Sequence, residues 1–200
     1  MPKHPTAREK LLAAALELML ARGYPATTVD EICQAAGVSK GSFYHFFDTK
    51  EQLALAALDA YLARVGQRVA EGPHSAIQEP RERALAFVDH IVDVAGEVWG
   101  DGCLMGSFAL DVVETSPAIQ QAVSETFTRV ARGYAEAFAP ALAAGGDGSA
   151  DERAADLAEQ FVVAVEGGIV LAKAHRDWRY ATRALARFRD ELRRQAGAEA

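Results

Sequence analysis

Two hundred residues, half of them apolar, are enough for one or two domains with a real core. A net charge of −7 excludes a uniformly basic chain, and two cysteines, Cys33 and Cys103, exclude a disulfide framework. No apolar run reaches the ~20 residues a bilayer-crossing helix needs, and Glu17 and Arg22 interrupt the N-terminal stretch where a secretory signal would lie. A cytoplasmic protein with no membrane partner is expected.

Strand-like alternation is nowhere sustained, and alanine and leucine dominate, so the expected fold class is all-α. Residues 1–5 read as a loose arm carrying Lys3 and His4. Thr6 and Glu9 form a capping box for a first helix with Leu11, Ala15, Leu18 and Met19 inward; Gly23 and Pro25 stop it. Thr28 and Glu31 box a second helix, whose Val29, Ile32, Cys33 and Ala36 share one face. Gly37 suits a left-handed C-terminal position, Val38 tucks inward, and Ser39 caps a third helix over Lys40 to Phe46. That helix is about two turns long and marginal alone. Its small polar, aromatic and basic residues suit a recognition helix in a DNA major groove, the second element of a helix–turn–helix. Phe43, Phe46 and Phe47 are expected in the core.

Asp48 and Glu51 predict a box opening a fourth helix, Thr49 to about Ala70, long enough to run from an N-terminal head (1–52) into a body (53–200). A loop at 73–79 precedes a fifth helix that starts at Pro80 and carries Phe87, His90, Ile91, Val94 and Val98 on one side. In the Gly-punctuated Trp99–Gly106 junction, Asp101 is expected to cap a sixth helix over Gly102 to about Glu114. Ser116-Pro117 starts a seventh, with Ile119, Val123, Phe127, Val130 and Tyr134 as its stripe, ending near Ala144. Gly145 to Gly148 reads as a flexible link. Ser149 and Glu152 predict a box for an eighth helix with Leu157, Phe161, Val165, Gly168, Ile169 and Ala172 inward. Asp177 separates it from a ninth with Leu185, Phe188 and Leu192 apolar and five arginines on its polar side. About nine helices result.

Charge divides unevenly. Residues 1–52 hold six basic and six acidic side chains, so the whole net charge belongs to the remainder. DNA binding needs a local basic surface, not a basic chain, and a neutral head predicts salt-sensitive, moderate affinity per subunit. Five scattered histidines lack ligand spacing, and no His-x-Glu, Cys-x-x-Cys, P-loop or nucleophile elbow is present. Neither a metal, a cofactor nor a catalytic role is expected.

The stretch from Ala7 to Leu58 closely resembles the N-terminal domain of TetR-type transcriptional regulators. Thr27, Thr28, Ile32, Ala35, Ala36, Gly37, Val38, Ser39, Gly41, Phe43, Tyr44, Phe46, Phe47, Lys50, Glu51 and Leu53 carry the resemblance in order and spacing. It implies a ligand-responsive repressor that binds double-stranded DNA as a homodimer and leaves a palindromic operator when a small-molecule inducer binds. The implied DNA surface is Thr28, Ser39, Lys40, Gly41, Ser42, Tyr44, His45 and Lys50. Thr28 sits at a phosphate-attracting helix N-terminus, Lys50 is a point charge for phosphate, and Lys40 and Ser42 project where base edges are reachable.

The resemblance also implies an apolar ligand site among helices 4 to 8, with Phe87, His90, Trp99, Cys103, Met105, Phe108, Phe127, Phe161 and Glu166 as candidates. The last two helices are implied to form a dimer interface through Phe161, Val165, Gly168, Leu185, Phe188 and Leu192. The run Gly102 to Gly106 resembles a TetR branch that includes electrophile- and redox-responsive members. Cys103 near a helix N-terminus, with Lys173 approaching it, is a candidate sensor; a small buried core residue is the plain alternative. Cys33 is expected to be structural. An activator or a non-inducible DNA binder of the same fold remains open, as does an all-helical enzyme whose head binds protein.

Overall fold

Nine α-helices and one 3-10 turn account for the regular structure of the computed structural model over its described residues, 5–112, 114–143 and 149–197. The helices are α1 Ala7–Arg22, α2 Val29–Ala36, α3 Lys40–Phe46, α4 Lys50–Ala70, α5 Pro80–Trp99, α6 Leu104–Asp111, α7 Pro117–Leu142, α8 Ala150–His175 and α9 Arg179–Gln195. The turn is Pro73–Ala76. The N-terminal arm and the glycine link lie outside the described residues.

The contacts divide the chain differently from the expected break at residue 52. One compact unit is Met1–Val65 with Cys103–Ser124; the other is Gly66–Gly102 with Glu125–Ala200. The sixth helix therefore belongs with the N-terminal head, because α6 packs on α1. In this first unit Leu11, Ala15, Met19, Ile32, Phe43, Leu53 and Phe108 are buried. Both early capping boxes form as expected. The Thr6 hydroxyl accepts the Glu9 N–H at 3.2 Å, and the Thr28 hydroxyl accepts the Glu31 N–H at 3.3 Å, with each glutamate reaching back. Gly37 lies at φ 65°, ψ 37°, where a Cβ would be strained.

Three other starts differ from expectation. At α4 the cap is Thr49, whose hydroxyl accepts the Gln52 N–H at 3.1 Å; Glu51 instead accepts the Ser116 hydroxyl at 2.6 Å, so no Asp48–Glu51 box forms. Gly102, at φ 118°, turns the chain so that α6 starts at Leu104 behind Cys103, and Asp101 does not cap it. α6 also ends at Asp111 rather than near Glu114. Ser149 lies at φ −96°, ψ 9°, away from the extended conformation a cap requires, and makes no side-chain cap bond. Ser116 does cap α7, its hydroxyl accepting the Ile119 N–H at 3.2 Å.

In the second unit α9 packs on both α5 and α8. Arg189 of α9 pairs with Asp89 of α5. Arg68 of α4 forks onto Glu97 of α5 at 2.9 and 2.6 Å and reaches Glu71 at 2.7 Å. Between the helices lies an aromatic cluster. Phe161 meets Tyr134, Phe138 and Phe188 with ring centroids 4.8, 5.8 and 4.6 Å away. Phe87 meets Tyr134 and Phe138. Such offset and edge-on pairs add to the area they bury.

Gly168 lets α8 approach α9 closely. A Cβ on it would lie 3.0 Å from the Ala181 Cα, a backbone atom that cannot yield. Gly168→Val is therefore expected to lower stability by about 2 kcal/mol through overpacking, read from the urea midpoint. An unchanged midpoint would mean that the two helices can separate at no cost.

Candidate nucleic-acid interface

Phe43 and Phe47 anchor the third helix. Both are buried, and their ring centroids are 6.0 Å apart. With that side fixed inward, the helical repeat turns the remaining side chains outward. Tyr44 is 56% exposed, with its ring edge-on to Phe43 at 5.1 Å. Lys40, Gly41 and His45 are exposed and Ser42 is half-buried. The Ser39 hydroxyl accepts the Ser42 N–H at 3.1 Å and so closes the first turn. A Cβ at Gly41 would meet only the Ser39 hydroxyl, at 3.8 Å, so nothing within the chain requires glycine there. Phe46 is not in the core as expected: it is 38% exposed, because only Phe43 and Phe47 point at α1 and α2.

The charged residues are more engaged than the sequence indicates. Lys40 pairs with Asp30 of α2 at 2.6 Å, which pushes its pKa up. Glu31 is held below the usual carboxylate range by the Thr28 hydroxyl and N–H and then by Arg22, 2.9 Å away. Thr28 has its hydroxyl committed to that box, accepting from Glu31 N–H and donating to the Glu31 carboxylate at 2.7 Å. Lys50 does not project as an isolated point charge. Its ammonium donates to the Tyr24 and Thr27 carbonyls at 3.0 and 2.9 Å and lies 4.0 Å from the Tyr24 ring centroid. Burial pushes its pKa down.

The same α1–α2 loop is held from α6. The Asp111 carboxylate accepts the Tyr24 N–H at 3.2 Å, and Phe108 sits edge-on to Tyr24 at 6.0 Å. Asp111, Tyr24 and Asp30 carry no local sequence signal for these roles; they are partners only across the fold.

The nine ligand candidates are divided between the two compact units. Cys103, Met105 and Phe108 are buried in the first unit, where Phe108 serves the head. Phe87 and Phe161 join the aromatic cluster of the second unit, where Trp99 is also buried. His90 binds the Arg68 carbonyl through Nε2 at 2.8 Å, beside His74, whose pKa is pushed down by burial and then by His90. Phe127 and Glu166 are half-buried. Tyr134 and Phe138 belong to the cluster and were missed as candidates, although Phe138 simply continues the Phe127–Val130–Tyr134 spacing. A surface depression of about 440 Å³ lies on α8, lined by Asp156, Glu159, Gln160, Val163 and Ala164, and none of the nine reaches it.

The six dimer candidates face inward in the single chain. Phe161, Val165, Gly168, Leu185, Phe188 and Leu192 are all buried within the single chain. They lie on α8 and α9, where α9 packs on both α8 and α5. The exposed apolar residues of α8 are Val163, Val170 and Leu171, on the opposite side.

A short helix anchored by aromatic rings, following a left-handed glycine turn and presenting hydroxyl and basic groups, defines a helix–turn–helix DNA-binding protein. Residues 11–57 match the profile of bacterial regulatory proteins of the tetR family, and residues 80–187 match the LmrA/YxaF-like transcriptional regulator C-terminal domain. The transcriptional regulator AcuR of Cereibacter sphaeroides is 31% identical over 86% of this chain and 78% of its own length. The HTH-type transcriptional repressor NemR of Escherichia coli K12 is 32% identical over 59% of this chain and 60% of its own. The crystal structure of reduced E. coli NemR superposes with a TM-score of 0.70 at 27% identity, covering 92% of this chain and 96% of NemR. The chain belongs to the TetR family of transcriptional regulators. Among the described residues no helix is long and apolar enough to cross a membrane.

The Lys50 geometry separates a structural from a phosphate-binding role. Lys50→Gln is expected to lower the thermal stability of the protein by about 2 kcal/mol, because two half-buried carbonyls lose a charged donor. A variant with unchanged melting and weakened DNA binding would assign the ammonium to phosphate alone.

Proposed function

We propose that this regulator is a repressor that binds a palindromic operator as a homodimer in the cytoplasm, and that a small molecule bound by the body releases it. The observation carrying this reading is the outward face of α3, with Tyr44, His45, Ser42 and Lys40 set around a glycine that the chain's own packing does not need. Two such helices must enter successive major grooves about 34 Å apart. Thr28, Ser39 and Lys50 then serve mainly to fix the frame that presents them. No catalytic role is assigned.

The dimer face is the second side of α8. Val163, Gly167, Val170, Leu171 and Ala174 recur at helical spacing and are exposed, and a Cβ at Gly167 would meet nothing. Asp156 and Glu159 flank this face, while Arg183, Arg187 and Arg194 are exposed on α9. A second copy, antiparallel in the sense of a two-fold axis, offers the complementary charges. NemR and DhaR are named repressors, which favours repression over activation here.

Release is a population shift. A hundredfold loss of operator affinity needs about 2.7 kcal/mol of differential ligand affinity. α6 is a suitable lever because Asp111 and Phe108 hold the α1–α2 loop from it.

A second reading has its own support: Cys103 stands at the N-cap of α6, and a similar regulator has been crystallised in a form described as reduced. Cys103 is 3% exposed, so an electrophile or oxidant reaches it only when α6 opens. Lys173 donates to the Asp101 carbonyl at 3.0 Å.

Selection from a random duplex pool tests the main reading, which requires a two-fold-symmetric site. Val170→Asp is expected to convert a dimer to a monomer in light scattering and to weaken operator binding at least tenfold, since one head loses the effective concentration of the other. A dimeric Val170→Asp protein would move the interface elsewhere. Cys103→Ser is expected to abolish release of operator by electrophiles while leaving DNA affinity intact. A full response in the serine variant assigns release to a non-covalent ligand.

A further inference from the structure

Phe46 is a large apolar ring left in water at the end of the recognition helix. It lies one turn beyond Ser42 and so extends the flank of α3 that Ser42 begins. His45 meets it edge-on, with centroids 4.8 Å apart, and is itself exposed. The three nearby aromatic residues behave differently: Phe43 and Phe47 are fully committed to the head, and Tyr44 carries a hydroxyl that water can satisfy. Phe46 has no polar atom, so its exposure is repaid only by an apolar surface outside the chain.

Resting on the DNA-binding reading, the geometry points to Phe46 as a specificity residue that packs on the C5-methyl group of a thymine in each half-site. The major groove offers one apolar group on its base edges, the thymine methyl; every other feature there is a hydrogen-bond donor or acceptor. A phenyl ring on the flank of a groove-bound helix has the chemistry for that group and none for the rest. Ser42, four residues before it, presents the polar complement for an adjacent base edge. His45 holds the ring from one side and limits its rotation. Phe46 thus reads methylation state as well as base identity, and uracil, which lacks only the methyl, is the direct probe.

The test uses the full-length protein and an operator duplex recovered by selection. Each thymine of one half-site is replaced in turn by uracil. The wild-type protein is expected to lose about threefold to fivefold affinity at one position, the worth of one buried methyl. In Phe46→Ala the uracil substitution at that position is expected to cost nothing further, whereas Phe46→Leu keeps a reduced penalty. As an independent measurement on the wild-type chain, 5-iodouracil at that position, irradiated in the complex, is expected to cross-link to Phe46. No uracil-sensitive thymine, an equal uracil penalty in wild type and Phe46→Ala, or a cross-link at Tyr44 or His45 instead would each overturn the assignment while leaving DNA binding intact. Failure to recover any preferred duplex would remove the DNA-binding reading itself, and is distinguishable because the wild-type protein then shows no site to substitute.

Discussion

The burial of Phe43 is the constraint on which the DNA-binding head depends. A helix of seven residues cannot hold itself in water, where the first turn costs more entropy than its hydrogen bond returns. Phe43 removes that difficulty by putting its whole ring into the space between α1 and α2, and Phe47 at the C-cap repeats the anchor one turn later. The caps at both ends of the turn then fix the phase. Gly37 sends the chain back through a left-handed conformation, and Ser39 closes the first turn of α3. Once the phase is set, the outward direction of Tyr44, His45 and Ser42 follows from the 3.6-residue period and requires no further specification. The outward face of α3 is the geometric remainder of a packing decision.

A second constraint acts on the loop between α1 and α2. Its backbone is held by opposite charges on opposite groups: the Lys50 ammonium takes two carbonyls, and the Asp111 carboxylate takes an N–H. Tyr24 lies between them, with its ring under Lys50 and against Phe108. The loop fixes the entry of α2, and α2 carries Asp30, the partner of Lys40 on the recognition helix. A displacement of α6 therefore does not need to cross the core to be felt at α3. It passes through a loop whose hydrogen bonds come from α6 at one side and from α4 at the other. Ser116 and Glu51 close the same linkage between the start of α7 and the start of α4.

The sequence makes the helices legible because their stops and starts are local chemistry. Thr6, Thr28, Ser39 and Ser116 each cap by reaching an amide three residues away, and such distances are visible in a linear pattern. The failures have equally physical causes. Glu51 and Asp101 have the right spacing for caps, but a long-range partner claimed the first and a turn at Gly102 removed the second. Phe46 resembles its buried neighbours in composition, and only the helical phase distinguishes it. Lys50 looks like a surface charge until the loop carbonyls are brought to it across the fold. The placement of α6 with the head was illegible for the same reason: residues 103–124 are distant in sequence from α1, and nothing in an eight-residue apolar helix names the surface it will cover.

Helix α8 shows why an interface is harder to read than a core. Consecutive glycines sit on its two sides: Gly168 faces Ala181 of α9 at contact distance, while Gly167 faces nothing. Both sides are apolar, so amphipathicity does not distinguish the seam that folds the chain from the one that joins two chains. Burial does. Phe161, Val165 and Ile169 are consumed by the chain itself, and Val163, at 70% exposure, is not. An apolar strip left exposed beside charged residues marks an interaction surface, and α9 packs on the other side of α8. The acids near the start of α8 and the arginines exposed on α9 make a two-fold arrangement electrostatically consistent. On the proposed pairing, charge sets the register and the valines and Leu171 supply the area, so folding and pairing would draw on different residues of one helix.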